Sequence, residues 1–300
     1  MLHCGGIQLL IATKSRRIKA WYTILSILKN KARLIERIQN KTAQYVLPHQ
    51  VYPEDWQELA SASAVLFLLG FNNCDNGKTP EPCLILNKRS EKVRQPGDLC
   101  CPGGGIMPRL DPLLGKSLTL PGFPMAQWPI WKDFQSKKAV QAHILRSLFS
   151  TSLRESFEEM RLIPLDVTFL GPLPSHELVL FKRMIYPMAG WVRHQKHFFP
   201  NWEVDKIIFI PIKKLLDPAN YVRYEYSFTL PGTSRVTWQT YDSPCYLHLN
   251  HHEKEVLWGA TCRITLNFLK IVFGFKPPDV ATLPAVKSDM HANYLGGKRA

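Results

Sequence analysis

The apolar positions of the chain fall into short runs with strand character and longer stretches with helical spacing. Ala62–Phe71 (Ala-Ser-Ala-Val-Leu-Phe-Leu-Leu-Gly-Phe) and Cys83–Asn87 read as two strands joined by the Asn-, Gly- and Pro-rich stretch 72–82, a hairpin loop. Val167–Leu173 and Met184–Val192 are further strand candidates, and Tyr221–Leu230 with Val236–Tyr241 predicts a late hairpin around Pro231-Gly232. Helical spacing appears twice. In the first stretch Ile18, Trp21, Tyr22, Leu25, Leu28, Ala32, Ile35 and Ile38 recur at that spacing. Leu145, Phe149, Leu153 and Phe157 step by four through a helix from about Ser136 to Met160.

The polar residues of the second helix change the picture. In Arg154-Glu155-Ser156-Phe157-Glu158-Glu159 the three glutamates share an arc of about 100°, while Leu153 and Phe157 point the other way. Like charges one turn apart cost a helix roughly 0.2–0.5 kcal/mol per pair, and Arg154 can offset only part of that. A hard divalent cation, which takes oxygen ligands, would resolve the crowding. A solvated face with charges paired along the helix would also account for it. Upstream, Pro102-Gly103-Gly104-Gly105 is a loop whose backbone can approach phosphate or metal closely. Before it the second strand ends in Lys88-Arg89, with Lys92 and Arg94 following.

This order of strand, Lys-Arg-Ser, Val93-Arg94, Gly97, Pro-Gly-Gly and Arg-Glu-x-x-Glu-Glu resembles the Nudix hydrolases, and more narrowly their coenzyme A pyrophosphatase branch. The resemblance spans roughly residues 60–272. It includes Trp202-Glu203-Val204 with Ile207–Ile210, and Trp258-Gly259-Ala260-Thr261, which by the resemblance opens a closing helix over 260–273. It implies an α/β (α+β) protein, the Nudix α/β/α sandwich with a mixed β-sheet. That sheet would lie between the glutamate helix and the closing helix. The implied activity is hydrolysis of a diphosphate linkage in coenzyme A or a related nucleotide, dependent on Mg²⁺ or Mn²⁺. The implied metal ligands are Glu155, Glu158, Glu159 and the Gly103 carbonyl, with Arg154 organising the glutamates. Either Glu155 or Glu203 is the base. Arg89, Arg94, Gly103 and Gly104 would meet the substrate phosphates.

Four departures accompany the resemblance. The Glu expected soon after the glycines is missing, with Asp111 the nearest acid, and the Gly expected after the glutamates is Arg161. The His that usually follows the arginine is absent, the loop being a residue shorter. Forty-nine residues, 105 to 153, separate Gly104 from Arg154, so that about 106–135 reads as an insertion: a lid, a partner surface or a packed loop. The alternative function is a degenerate Nudix module that binds a nucleotide or a partner protein without hydrolysis.

Residues 1–58 are expected to form a basic amphipathic helix and linker, 59–275 the Nudix domain and 276–300 a loose tail. Nine Lys/Arg against one acid in 14–41 suit either packing of the apolar stripe on the domain or contact with an anionic membrane. The overall balance, 38 basic against 24 acidic residues and a formal charge of +14, favours a polyanionic partner. A small-molecule nucleotide is expected and nucleic acid is not; the oligomeric state stays open. Seven cysteines without a C-x-x-C pair suggest reduced thiols and a cytoplasmic protein. His248, His251 and His252 cluster, but no Cys or acid stands at zinc-ligand spacing beside them.

Overall fold

A computed structural model describes residues 21–46, 62–72, 80–178, 183–229, 236–250, 253–289 and 294. Its centre is strand β1 (Ser63–Asn72), which pairs antiparallel with β2 (Glu81–Arg89) and parallel with β7 (Arg183–Val192). Strand β3 (Leu99–Cys100) extends the sheet beyond β2, and β5 (Val167–Pro172) beyond β7. Three more strands join it: β4 (Gly103–Gly105) on β1, β6 (His176–Leu178) on β7, and β8 (Val204–Pro211) on β2.

The near-continuous apolar run of β1 is explained by burial on both faces. Ala64, Leu66 and Leu68 point to one side, against Leu145, Phe149 and Leu153 of the helix Ala139–Met160. Phe67 and Leu69 point to the other, where Ile264, Phe268 and Leu269 of the helix Gly259–Phe273 pack; the Phe67 and Phe268 ring centroids are 4.7 Å apart. The molecule is therefore an α/β/α sandwich around a mixed sheet, with the glutamate helix on one face and the closing helix on the other.

The helices in chain order are α1 (Lys31–Val46), α2 (Asp111–Ser117), α3 (Trp131–Lys137), α4 (Ala139–Met160), α5 (Ile212–Leu215) and α6 (Gly259–Phe273). Residues 21–28 are also helical and lead into α1. The single N-terminal helix expected from the periodicity is thus broken: the Asn30 side chain accepts the Arg33 N–H at 3.1 Å and starts a new helix. Residues 14–20 of that expectation lie outside the described residues. Leu28, Leu34 and Ile38 are buried beside α6, so these positions pack on the domain, while Tyr22 is 68% exposed. Gln39 and Thr42 donate to the carbonyls of Phe169 and Leu170 in β5, locking α1 to the sheet edge. Among the described residues no helix is long and apolar enough to cross a membrane.

The stretch 106–135 is packed rather than lid-like. Leu118, Met125, Trp128, Trp131 and Phe134 are buried in the α4 side of the core, and Trp128 meets Phe169 edge-on at 5.2 Å. The long helix expected from Ser136 is interrupted at Lys138, whose φ of −138° and ψ of 60° separate α3 from α4.

A second sheet was only half legible as a hairpin. It runs β10 (Val236–Thr240), β9 (Tyr221–Thr229), β11 (Cys245–Asn250), β12 (Glu253–Leu257), with β13 (Ala285–Asp289) parallel to β9. The tail expected to be loose thus contributes a strand. Ala-Val-Lys-Ser-Asp carries little strand signal by itself, and the backbone groups of β9 supply the pairing. His248 lies buried in β11; His251 and His252 are outside the described residues.

Candidate active site

The C-terminal end of α4 presents Arg154, Glu155, Glu158 and Glu159 toward the glycine strand β4. Leu153 is buried as the periodicity requires, but Phe157 is 44% exposed, with the Arg161 guanidinium 5.3 Å from its ring centroid. The buried face is Ser152, Leu153, Ser156 and Met160. Arg161, where a Gly was expected, adopts the left-handed conformation (φ 56°, ψ 34°) and closes the helix through N–H contacts to the Phe157 and Ser156 carbonyls.

Arg154 is the hub. Its Nε donates to Asp111 at 2.9 Å and Nη2 to Asp111 at 3.2 Å and the Gly105 carbonyl at 2.9 Å. Its Nη1 donates to Glu155 at 3.0 Å and Glu158 at 3.2 Å. Asp111, fully buried, also accepts from the Met107 N–H and the Thr151 hydroxyl, each at 2.7 Å. Asp111, the nearest acid after the glycines, thus lies at the start of α2 and holds Arg154. Its place in the chain was a signal; its partner 43 residues away was not.

Glycine is required where the strand meets the helix. Gly103 has φ +151°, and a Cβ there would fall 2.4 Å from the Ala64 carbonyl oxygen. A Cβ on Gly104 would lie 2.5 Å from the Glu155 carboxyl carbon. The Gly103 N–H donates to the Glu159 carboxylate, which also accepts from the Asn87 amide at 2.7 Å. Burial, with the charges of Glu155 and Glu203 added, pushes Glu159 up to about 8, against the pull of that N–H and of Arg89. Glu155 is also raised, first by burial, with Arg154 opposing. Glu158 stands at the rim, its side chain 52% exposed. Glu203 sits half-buried before β8, its N–H donating to Asn201 at 2.8 Å and its carbonyl accepting from the Ser90 N–H at 2.9 Å.

Among the described residues no three His, Cys, Asp or Glu side chains converge into a ready-made metal cage. The donor chemistry nonetheless fits a hard cation. Glu155 and Glu159 are mutually repelling carboxylates against one glycine strand, and the buried Asn87 Oδ1 beside Glu159 has no partner.

Gly103 and Gly104 also line a cavity of about 840 Å³. Arg89, Arg94, Arg183 and Arg263 line it, with Asp98, Tyr241 and Trp258; the three glutamates do not, so the cavity reaches their face only at the glycines. Arg89 donates through Nε to the Arg94 carbonyl at 2.7 Å, and Arg94 is exposed. Arg183 lies 3.2 Å from where a Cβ of Gly105 would stand. Asn87, Arg183 and Arg263 escaped sequence reasoning. Asn87 alone left a trace, as a polar residue closing an apolar strand. Cys100 and Cys101 also line the cavity, but burial first, with nearby negative charge, pushes both thiols up (Cys100 to about 12), so neither is a thiolate ligand near neutral pH.

No family model matches the chain, and no curated protein matches it in sequence. Solved structures with partial likeness include a Nudix hydrolase from M. smegmatis, RenU, at 12% identity over 52% of this chain and 73% of that one, TM-score 0.32. The NUDIX domain of Shewanella oneidensis NrtR complexed with ADP ribose aligns at 13% identity over 58% and 85%, TM-score 0.31. A MutT/nudix family protein from Enterococcus faecalis aligns at 9% identity over 82% and 75%, TM-score 0.36. Similarity at this level says nothing about activity or substrate.

Proposed function

We propose that the protein is a Nudix-type diphosphatase that hydrolyses the diphosphate linkage of coenzyme A or a related nucleoside diphosphate derivative, with Mg²⁺ or Mn²⁺. The observation that carries this reading is the meeting of the Gly103-Gly104 backbone with Glu155 and Glu159 at the edge of an arginine-lined cavity. Phosphoryl transfer asks a protein for positioning and charge neutralisation more than for covalent help, and that is what these groups offer.

Glu155, Glu158 and Glu159 would hold the cation. When bound, it neutralises phosphoryl oxygens and lowers the pKa of a water ligand. Arg154, anchored by Asp111, sets the carboxylates of Glu155 and Glu158. Arg89 and Arg94 hold substrate phosphates from the cavity wall. Glu155 or Glu203 accepts the proton of the attacking water, and the second phosphate departs with its organic group. The absence of the usual glutamate, which favoured a non-hydrolytic module, loses weight because Asp111 occupies Arg154.

The test is a panel of diphosphates, coenzyme A and its dephosphorylated form among them, incubated with and without Mg²⁺ or Mn²⁺ and read by product mass. Divalent-dependent cleavage at the diphosphate is expected, and Glu158→Gln should abolish it while the protein stays folded. No cleavage of any member with either metal would overturn the reading.

A further inference from the structure

The stretch that follows the glycine strand has two unlike sides. Its aromatic side chains are buried against α4, but Met107, Leu110, Leu113, Leu114 and Leu120 are 41–62% exposed. The helix explains the division. The Met107 carbonyl accepts the N–H groups of Leu110 and Asp111 and turns the chain into α2. Asp111 and Gly115, one turn apart, are buried toward α4. A Cβ on Gly115 would stand 2.9 Å from the Arg146 carbonyl oxygen, so glycine is what lets the two helices approach this closely. At about 100° per residue, Leu110, Leu113 and Leu114 then fall within an arc of about 100° on the side away from α4. Arg109 and Lys116 flank that stripe and are exposed. The only acid in 106–122 is Asp111, which lies buried beneath it against Arg154.

Three features of the stripe choose what covers it. It is an outward helix face, and none of its residues lines the cavity, so it offers no pocket for a partner's anchoring side chain. It presents five large apolar residues, where a stable protein interface takes about 20–30 residues a side. Its rim is cationic, so a second copy meeting the same face across a two-fold axis would set Arg109 and Lys116 against their own kind. A bilayer with anionic headgroups satisfies all three. It takes up apolar side chains to a depth of about 5–10 Å without a matching pocket, and it supplies the opposite charge.

We propose that α2 and the turn before it form a docking surface for an anionic lipid membrane. Leu110, Leu113 and Leu114 enter the headgroup boundary, and Arg109 and Lys116 meet the anionic headgroups. The docking surface stands apart from the diphosphatase reading and does not need it. Residues 106–110 alone separate α2 from β4, so docking brings the glycine strand close to the lipid surface.

The test mixes the full-length protein with vesicles of equal parts phosphatidylglycerol and phosphatidylcholine, or of phosphatidylcholine alone, and reads the bound fraction by co-sedimentation. Binding to the anionic vesicles is expected, weakening as salt rises. Leu113→Gln combined with Leu114→Gln should lower the partition coefficient about tenfold or more. Arg109→Gln combined with Lys116→Gln should lower it about tenfold on anionic vesicles and little on neutral ones. Leu113→Trp should retain binding, because an indole is at home among headgroups, whereas a protein pocket shaped for leucine would reject it. Urea melts check folding, and if the paired leucine variant does not fold, Leu113→Glu alone reads the same loss. No binding to either vesicle, or equal binding to both, would overturn the docking surface. So would binding that the leucine variant leaves intact, which would place the contact elsewhere on the chain. A dimer in sedimentation that the leucine variant dissociates, with no vesicle binding by either protein, would overturn it in favour of a second copy.

Discussion

Replacing Asp111 by alanine should destabilise the protein more than any substitution at the exposed end of the glutamate face. The carboxylate is fully buried and accepts four hydrogen bonds, from the Met107 N–H, the Thr151 hydroxyl and two Arg154 nitrogens. Arg154 is itself only 9% exposed, so removing Asp111 leaves a guanidinium buried with Glu155 and the rim-exposed Glu158 as its remaining charged partners. Breaking a buried pair from one side costs about 3–5 kcal/mol. The orphaned Met107 N–H adds about 1 kcal/mol or more. Against a typical total of about 5–15 kcal/mol, a loss near 4 kcal/mol is easily read as a fall in the urea midpoint. A double-mutant cycle with Arg154→Leu isolates the pair: the double variant should recover part of the loss, with a coupling of about 2 kcal/mol or more. A cost under about 1 kcal/mol for Asp111→Ala, or additive single effects, would refute the account of Arg154 as a hub anchored by a buried acid. The measurement needs no substrate.

Gly104→Ala would drive a methyl group to within 2.5 Å of the Glu155 carboxyl carbon, forcing that side chain off Arg154; turnover should fall at least about tenfold while stability falls by about 1–3 kcal/mol, read by kinetics and urea melts together. Asp98, pushed from 3.8 up to about 6 by burial against the pull of Tyr294, Trp258 and Arg89, holds its proton more tightly folded than unfolded. Its contribution is therefore fully present below about pH 4, is lost as pH rises to about 6, and is level above that. The change is about 3 kcal/mol at most. Melts of Asp98→Asn should show that slope removed, and an unaltered slope would assign it elsewhere. Arg94→Ala should raise KM for coenzyme A about tenfold, since a charge-assisted contact is worth about 1.5–3 kcal/mol. If the preference over the dephosphorylated form disappears, Arg94 reads the 3′-phosphate; equal loss on both forms places it on the diphosphate; a change below about twofold on both makes it a solvated loop residue.

The apolar runs alone were enough to locate β1, β2, β5 and β7, because strands buried on both faces must be apolar throughout. The layer order was implied by the family resemblance that the glycine and glutamate motifs carry. Arg154 and the three glutamates were legible for a local reason: a helix fixes which side chains share a face within one turn. The strands β11, β12 and β13 were not, since short strands owe their existence to the partner edge rather than to a period of their own. Asp111, Arg183, Arg263 and the Trp258–Tyr241 ring pair of the cavity come from elements far apart in the chain and meet only when the sheets and helices have packed. Local periodicity determined the parts that carry the glutamates. Their charge state, their anchor and the wall opposite them depend on burial and long-range contact, quantities that exist only once the tertiary structure has formed.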